Sequence, residues 1–84
     1  MDILKTTYIP EARVTLFDLK LSEGEITIYA DCIQYVLSKC PDDDISQVTD
    51  CENKEELSYY LENLKNLMKS MEHRRYLPDR YKDL

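Results

Sequence analysis

The sequence contains one glycine, one histidine and no tryptophan in its 84 residues. The shortage of glycine excludes the glycine-rich loops that bind nucleotide phosphates, because such loops need several residues without a Cβ atom. The single histidine, His73, has no nucleophile elbow to serve, so the sequence gives no support for a catalytic triad. We therefore expect a protein that is not an enzyme and has no catalytic residues.

A long apolar run is also missing. No stretch approaches the roughly 20 apolar residues that cross a bilayer, and Met1 to Lys5 lack the basic and apolar regions of a signal peptide. We expect a cytoplasmic protein with no membrane association.

The three cysteines have no obvious common role. Cys32 and Cys40 lie about two turns apart on one predicted helix, too far for a disulfide. Cys40 and Cys51 could approach each other, but free, buried thiols are expected in a reducing cytosol.

No metal site is expected either. The cysteines and His73 lack the close spacing of zinc ligands. A calcium loop beginning at Asp42 fails because Gln47 replaces the glycine of the sharp turn and Asn53 replaces the closing glutamate. We predict no metal and no cofactor.

Acidic residues outnumber basic ones, 17 to 11, which gives a net charge of -6. Such a charge repels nucleic acids and anionic membranes and favours a partner with a basic surface, although it also simply keeps a small domain soluble. The hydrophobic content of 43% is that of a single globular domain. A chain of this length buries only a little over 60% of its unfolded surface, so its stability is thin.

Residues 1–21 are predicted to form an extended or β-strand arm. Pro10 pushes the residue before it out of the helical region, and residues 13–21 are rich in apolar and β-branched side chains. The alternation of apolar and polar residues slips at Leu16 and Phe17, which suits a bulge or a strand covered on both faces. A short helix beginning at Pro10 is the competing interpretation.

Residues 22–40 are predicted to form the first long helix. Ser22 and Glu25 have the spacing of a capping box, and Pro41 ends the helix. At 100° per residue, its polar side chains fall on one narrow stripe, so the helix is apolar around most of its circumference. Such a helix needs more cover than one neighbouring helix supplies.

Residues 41–52 form a predicted acidic loop, and residues 53–75 a second helix that begins at a cap at Asn53 or Thr49. The second helix carries a narrow apolar seam that faces one neighbour. Its a/d members are Leu57, Tyr60, Leu64, Leu67 and Met71, and Leu61 and Met68 widen it. Residues 76–84 form a tail, either a flexible end or an arm that docks on a partner.

We therefore predict a mainly α fold, an antiparallel two-helix hairpin preceded by an extended or β-strand arm, in a single small domain. The apolar arc of the first helix that its neighbour leaves open is centred on Ile28, Cys32 and Tyr35. Burial of large apolar side chains stabilises by about 1.5–3 kcal/mol each, so the arm or another chain must cover this arc. We predict that these three residues form the interface of a homodimer.

The predicted function is that of a small, non-catalytic protein-protein interaction module: an inhibitor, an antitoxin-like protein or an adaptor. Its size is also typical of proteins from phages and other mobile elements. Closely spaced carboxylates can bind an arginine-rich site on a partner through charge-assisted hydrogen bonds. The predicted partner-binding residues are Asp42, Asp43, Asp44, Asp50, Glu52 and Glu55. Glu52, Glu55 and Glu56 also have a structural interpretation, because anions stabilise a helix N-terminus.

Two alternatives remain open. A nucleic-acid-associated regulator would use the basic end of the second helix and the tail, where tyrosines could stack on bases. The residues of this basic patch are Lys69, His73, Arg74, Arg75, Tyr76, Arg80, Tyr81 and Lys82. A structural subunit of a larger assembly would need a permanent partner for solubility.

Overall fold

The fold consists of a β-hairpin followed by a helical region, in a computed structural model that describes residues 1–75 and 77–84. The strands and helices are β1 (Asp2–Ile9), β2 (Val14–Lys20), α1 (Glu23–Lys39), a 3₁₀ turn (Asp42–Asp44), α2 (Ile45–Val48), α3 (Lys54–Lys69) and α4 (Asp79–Lys82).

The two strands pair antiparallel, from Asp2 opposite Lys20 to Ile9 opposite Val14, with a register shift between Ile3 and Lys5. Residues 10–13 form the connecting turn, in which the backbone N–H of Arg13 donates to the carbonyl of Pro10 (3.3 Å). Arg13 has a φ of 54°, in the left-handed region. The hairpin makes little contact with the helices, and only Ile9 in its two strands is even partly buried.

The predicted fold class is therefore wrong. The first 21 residues are not an arm in front of a plain two-helix hairpin, because they form a two-stranded antiparallel sheet of their own. The predicted irregularity is also misplaced: the register shift lies in β1, near Leu4, and β2 keeps its alternation through Leu16 and Phe17. β2 is covered on neither face, since all seven of its residues are exposed.

The helix α1 begins at the predicted capping box. The Ser22 hydroxyl accepts from the Glu25 backbone N–H, and the Glu25 carboxylate accepts from that of Ser22, both at 3.2 Å. Only Ala30 in α1 is fully buried. The expectation that α1 is enclosed around most of its circumference is thus not met in a single chain.

The helices α1 and α3 pack side by side in antiparallel fashion. The beginning of α1 meets the end of α3 in one cluster, which contains buried Ala30 and Met68 and against which Ile26 packs. The end of α1 meets the beginning of α3 in a second cluster, where Cys40 lies among the partly buried residues around Leu57. The predicted seam of the second helix is only partly correct, because its members Tyr60 and Leu67 are exposed while Leu61 and Met68, predicted at its margin, are buried.

The chain after α3 folds back onto the helical pair. The helix α3 ends at Lys69, six residues before the predicted boundary at residue 75, and Leu77 and Tyr81 are buried in the same cluster as Ala30 and Met68. Residues 77–84, which we call the C-terminal segment, are therefore neither a free end nor an arm extended towards a partner. They supply part of the cover that α1 needs.

The length and apolarity of the helices also bear on membrane insertion. Within residues 1–75 and 77–84, no helix is long and apolar enough to span a bilayer.

Candidate functional site

The predicted partner-binding residues lie together at the connection between α1 and α3. Three of them form the 3₁₀ turn that follows Pro41, and the other three lie around the start of α3. All six side chains are exposed: Asp42, Asp43, Asp44, Asp50, Glu52 and Glu55. We refer to these six residues as the acidic loop surface.

Buried apolar residues hold this connection in place. Ile45 is fully buried and packs in one cluster with Cys51 and Leu57. The Thr49 hydroxyl bridges the loop, because it donates to the Ile45 carbonyl (2.9 Å) and accepts from the Cys51 backbone N–H (3.0 Å). The acidic loop surface is therefore displayed on a packed base.

Some of the carboxylates at this connection have a structural task. The Asp42 carboxylate accepts from the backbone N–H of Lys54 (2.9 Å), the first residue of α3. Glu56, just outside the acidic loop surface, accepts from the Glu52 backbone N–H (3.1 Å). Asn53 caps α3 by accepting from the Glu56 backbone N–H (2.9 Å). The bonds from Lys54 and Glu56 satisfy N–H groups that a helix start leaves unpaired, and the bond from Glu52 holds the residue before the Asn53 cap.

The charge of the acidic loop surface is not balanced by ion pairs within the part of the chain that the structure describes. Among the described residues, no member of the acidic loop surface forms an ion pair; the carboxylates that do so are Glu25, Asp31, Glu62 and Asp79. Lys54 is the one basic residue between positions 41 and 56. An uncompensated cluster of exposed charge creates a local negative potential that attracts cationic groups.

The predicted homodimer interface on α1 is exposed in the single chain. Ile28 is 58% exposed and Tyr35 is 65% exposed, and Cys32 is exposed as well. The C-terminal segment lies alongside, with Leu77 and Pro78 beside Ile28, and Tyr81 near Tyr35. The interface itself stays a prediction.

All three cysteines are free thiols, but only Cys51 is buried. The expectation that the thiols are buried is therefore wrong for Cys32, which is exposed, and for Cys40, which is half-buried. In the described part of the chain, no three side chains among the histidine, cysteines and acidic residues come together as metal ligands would.

The basic patch is largely engaged in contacts within the chain. Arg80 forms a two-bonded ion pair with Asp31 (3.0 and 2.5 Å), and Lys82 lies 3.3 Å from the Asp79 carboxylate. Arg74 donates to the backbone carbonyls of Lys69 and Leu84. The buried ring of Tyr81 cannot stack on a base, and Tyr76 lies outside the described residues.

Asp31 joins α1 to the C-terminal segment. Its carboxylate accepts hydrogen bonds from Arg80 and from the Tyr81 hydroxyl (2.7 Å). Both bonds lower the pKa of Asp31 below its ordinary value, and the bond from Arg80 has the larger effect. Burial, together with the hydrogen bond to Asp31, raises the pKa of Tyr81. We call this network the clamp, because it ties α1 to the end of the chain through Asp31.

The hairpin is the surface that sequence reasoning missed. Among residues 1–75 and 77–84, it holds eight of the fifteen exposed large hydrophobic side chains, although it spans only a quarter of the chain. They are Met1, Ile3, Leu4, Tyr8, Val14, Leu16, Phe17 and Leu19. The available signal was a pair of β-branched and aromatic segments on either side of Pro10, which is typical of two strands joined by a turn.

Comparison with known proteins assigns no function. No family model matches the sequence, and no curated protein or solved structure is significantly similar to it.

Proposed function

We propose that this chain is a small, non-catalytic protein-protein interaction module whose acidic loop surface binds a basic site on a protein partner. An inhibitor, an antitoxin-like neutraliser or an adaptor would each work in this way. The observation that carries the proposal is the set of six exposed carboxylates without an ion pair among the described residues. Binding an arginine-rich surface would give them the cations that their own chain does not provide.

The packed base of the loop supports the same proposal. Binding costs less free energy when the binding groups are already held in place. Buried Ile45 and Cys51, and the double hydrogen bond of Thr49, fix the chain on which the carboxylates stand. The partner would therefore meet a preformed array of negative charge.

The test is a charge reversal that spares the structural bonds. Asp43→Lys with Asp44→Lys changes two exposed carboxylates but leaves Asp42, which accepts from the start of α3. The matched control is Glu72→Lys with Asp83→Lys, an equal change of charge at exposed positions outside the loop. All variants are compared by affinity capture from the source cells, followed by mass spectrometry.

We expect wild type and control to capture the same basic protein in a salt-dependent manner, and the loop variant to lose it. Far-UV circular dichroism should be unchanged in all three proteins. Equal capture by the loop variant, or capture of acidic partners only, would reject the proposal.

The nucleic-acid alternative lacks a supporting observation, because Tyr81 is buried and Arg80 is paired with Asp31. A structural subunit of a larger assembly would share the exposed hairpin. Expression of the chain alone distinguishes a structural subunit from the proposed interaction module, since a subunit that needs a permanent partner would be insoluble.

A further inference from the structure

The chain exposes more surface than its mass requires. Its accessible surface is 6566 Å², whereas a folded monomer of 10.0 kDa is expected to expose about 5,200 Å². The excess, about 1,300 Å², is larger than the roughly 800 Å² that each partner contributes to a standard interface. One copy therefore has enough uncovered area for a stable dimer.

The shape of the chain agrees with this surplus. Its radius of gyration is 14.8 Å, against about 12 Å for a compact domain of this length. Its smallest dimension is only 16 Å. The hairpin is the part without a covering layer, because it makes little contact with the helices. A two-stranded hairpin alone is marginally stable in water, so this element has the most to gain from a partner.

The two faces of the hairpin differ in charge. Residues directly opposite each other in an antiparallel pair share a face. One face therefore carries Asp2 with Lys20 and Lys5 with Asp18. The other face has no charged residue; its members are Ile3, Thr6, Tyr8, Thr15, Phe17 and Leu19. We call this second face the charge-free face.

Charge also distinguishes the hairpin from the rest of the chain. Residues 1–21 contain three acidic and three basic side chains, whereas residues 22–84 contain fourteen acidic and eight basic ones. The whole net charge of -6 thus belongs to the helical region. Two copies that met through their acidic regions would repel each other, but two hairpins would not.

We propose that the charge-free face of the hairpin binds the same face of a second copy, so that the chain is a homodimer joined by two packed β-ribbons. In a two-fold interface the same patch must complement itself. The charge-free face meets this condition, because two copies of it bring no like charges together. The acidic loop surface does not meet it, because two copies would repel each other. Face-to-face packing about 10 Å apart would give each ribbon its missing layer.

This arrangement leaves the acidic loop surface free. The hairpin joins the start of α1 and the acidic loop follows its end, so the length of α1, about 25 Å, separates them. The dimer would display two acidic loop surfaces away from its interface. Such a dimer can bind a partner with two basic sites more tightly than one copy can.

Adjacent threonines of β1 provide a matched test. Thr6 lies on the charge-free face opposite Phe17, and Thr7 lies on the other face opposite Leu16; both threonines are exposed in the single chain. Thr6→Lys and Thr7→Lys are compared with wild type by sedimentation equilibrium of the full chain between about 1 and 100 µM. Lysine reduces the net negative charge, so a weaker dimer cannot be attributed to greater overall repulsion.

We expect wild type to dimerise. Thr6→Lys should raise the dissociation constant of the dimer at least about 10-fold, because it buries two like charges in the interface. Thr7→Lys should change that constant less than about 3-fold, because its lysine lies on the other face. A second pair, Phe17→Lys and Leu16→Lys, should behave in the same way. Unchanged far-UV circular dichroism shows that each variant is folded. If a variant of one pair has an altered spectrum, the dissociation constants of the other pair test the proposal.

A wild-type monomer at the highest concentration would overturn the proposal. A dimer that Tyr35→Lys disrupts and Thr6→Lys does not would also overturn it, and would place the interface on α1. Asp43→Lys with Asp44→Lys should leave the dimer intact, so the result is independent of the partner-binding experiment.

Discussion

The hairpin and the helical region both have regular, hydrogen-bonded backbones, but they differ in what covers their side chains. In the helical region, Ala30, Ile45 and Met68 are completely buried. In the two strands, no residue is buried. Regular secondary structure is therefore not a sign of a core, because hydrogen bonding along a ladder needs only two strands, whereas burial needs a second layer.

The same two regions divide the charge. The hairpin is neutral and the helical region carries the full net charge. Apolar, neutral surfaces favour association of like copies, and strongly charged surfaces favour a partner of opposite sign. This difference in charge is the physical basis for proposing two separate binding surfaces, one in each region.

The largest predicted effect is a loss of stability in the helical region. Met68 is completely buried, whereas its neighbour Leu67 is 47% exposed. Met68→Ala should lower the free energy of unfolding by about 3 kcal/mol, since it leaves a cavity between α1, α3 and the C-terminal segment. Leu67→Ala should cost less than about 1 kcal/mol.

Urea denaturation followed by circular dichroism measures both values. Equal losses for Met68→Ala and Leu67→Ala would contradict the core described above. They would mean that the exposed face of α3 is buried as deeply as the seam.

A smaller loss of stability is predicted when the clamp between α1 and the C-terminal segment is removed. The pKa of Asp31 is lowered in the folded state, first by the Arg80 hydrogen bond and then by the Tyr81 hydroxyl. A lowered pKa stabilises the fold above the ordinary value of 3.8 and the contribution disappears as the pH falls through the folded-state pKa. Asp31→Asn should therefore destabilise at pH 7, by less than about 1 kcal/mol for so exposed a pair.

The difference in unfolding free energy between wild type and Asp31→Asn should shrink as the pH is lowered below 3.8. Glu25 provides the control, because its pKa is lowered by the N-terminal amine and not by the clamp. Glu25→Gln should leave the contribution of Asp31 in place. A difference that persists unchanged at pH 2 would contradict the assignment to Asp31.

The smallest predicted effect concerns the hairpin turn. Arg13 has a φ of 54°, which costs an L-residue about 1 kcal/mol but costs glycine little. After the greater chain entropy of glycine is deducted, Arg13→Gly should stabilise the hairpin by about 0.5 kcal/mol. Amide hydrogen exchange in β1 and β2 should slow about two-fold.

Ala12→Gly is the matched control, since Ala12 does not have a positive φ and glycine there should only loosen the turn. Faster exchange in Arg13→Gly would show that the turn does not limit the opening of the hairpin.

Local signals predicted the start of α1 because a helix cap depends on residues close together in the chain. Ser22 and Glu25 are three apart and cap the helix as expected. The seam of α3 was predicted only in part, because Tyr60 and Leu67 fit the spacing of the seam but are exposed, and which residues of an apolar stripe are buried depends on where the neighbouring elements lie.

The hairpin and the C-terminal segment were not predicted because their structure depends on distant residues or on unusual turn chemistry. The turn contains Arg13 in a conformation that glycine or asparagine normally adopts, so no turn motif marked it. Leu77 and Tyr81 join the core only through contacts with α1 and α3, which no local pattern reveals. The early end of α3 at Lys69 follows from the same fold-back.

Side chains a few positions apart set the start of α1 and the place where the negative charge is concentrated, so both can be predicted from the sequence. The pairing of the first 21 residues as a hairpin, the buried residues of α3 and the cover that the C-terminal segment gives α1 become visible only in the three-dimensional fold. The hairpin turn carries no recognisable motif, and burial of apolar area, unlike a helix cap, is a property of the whole chain.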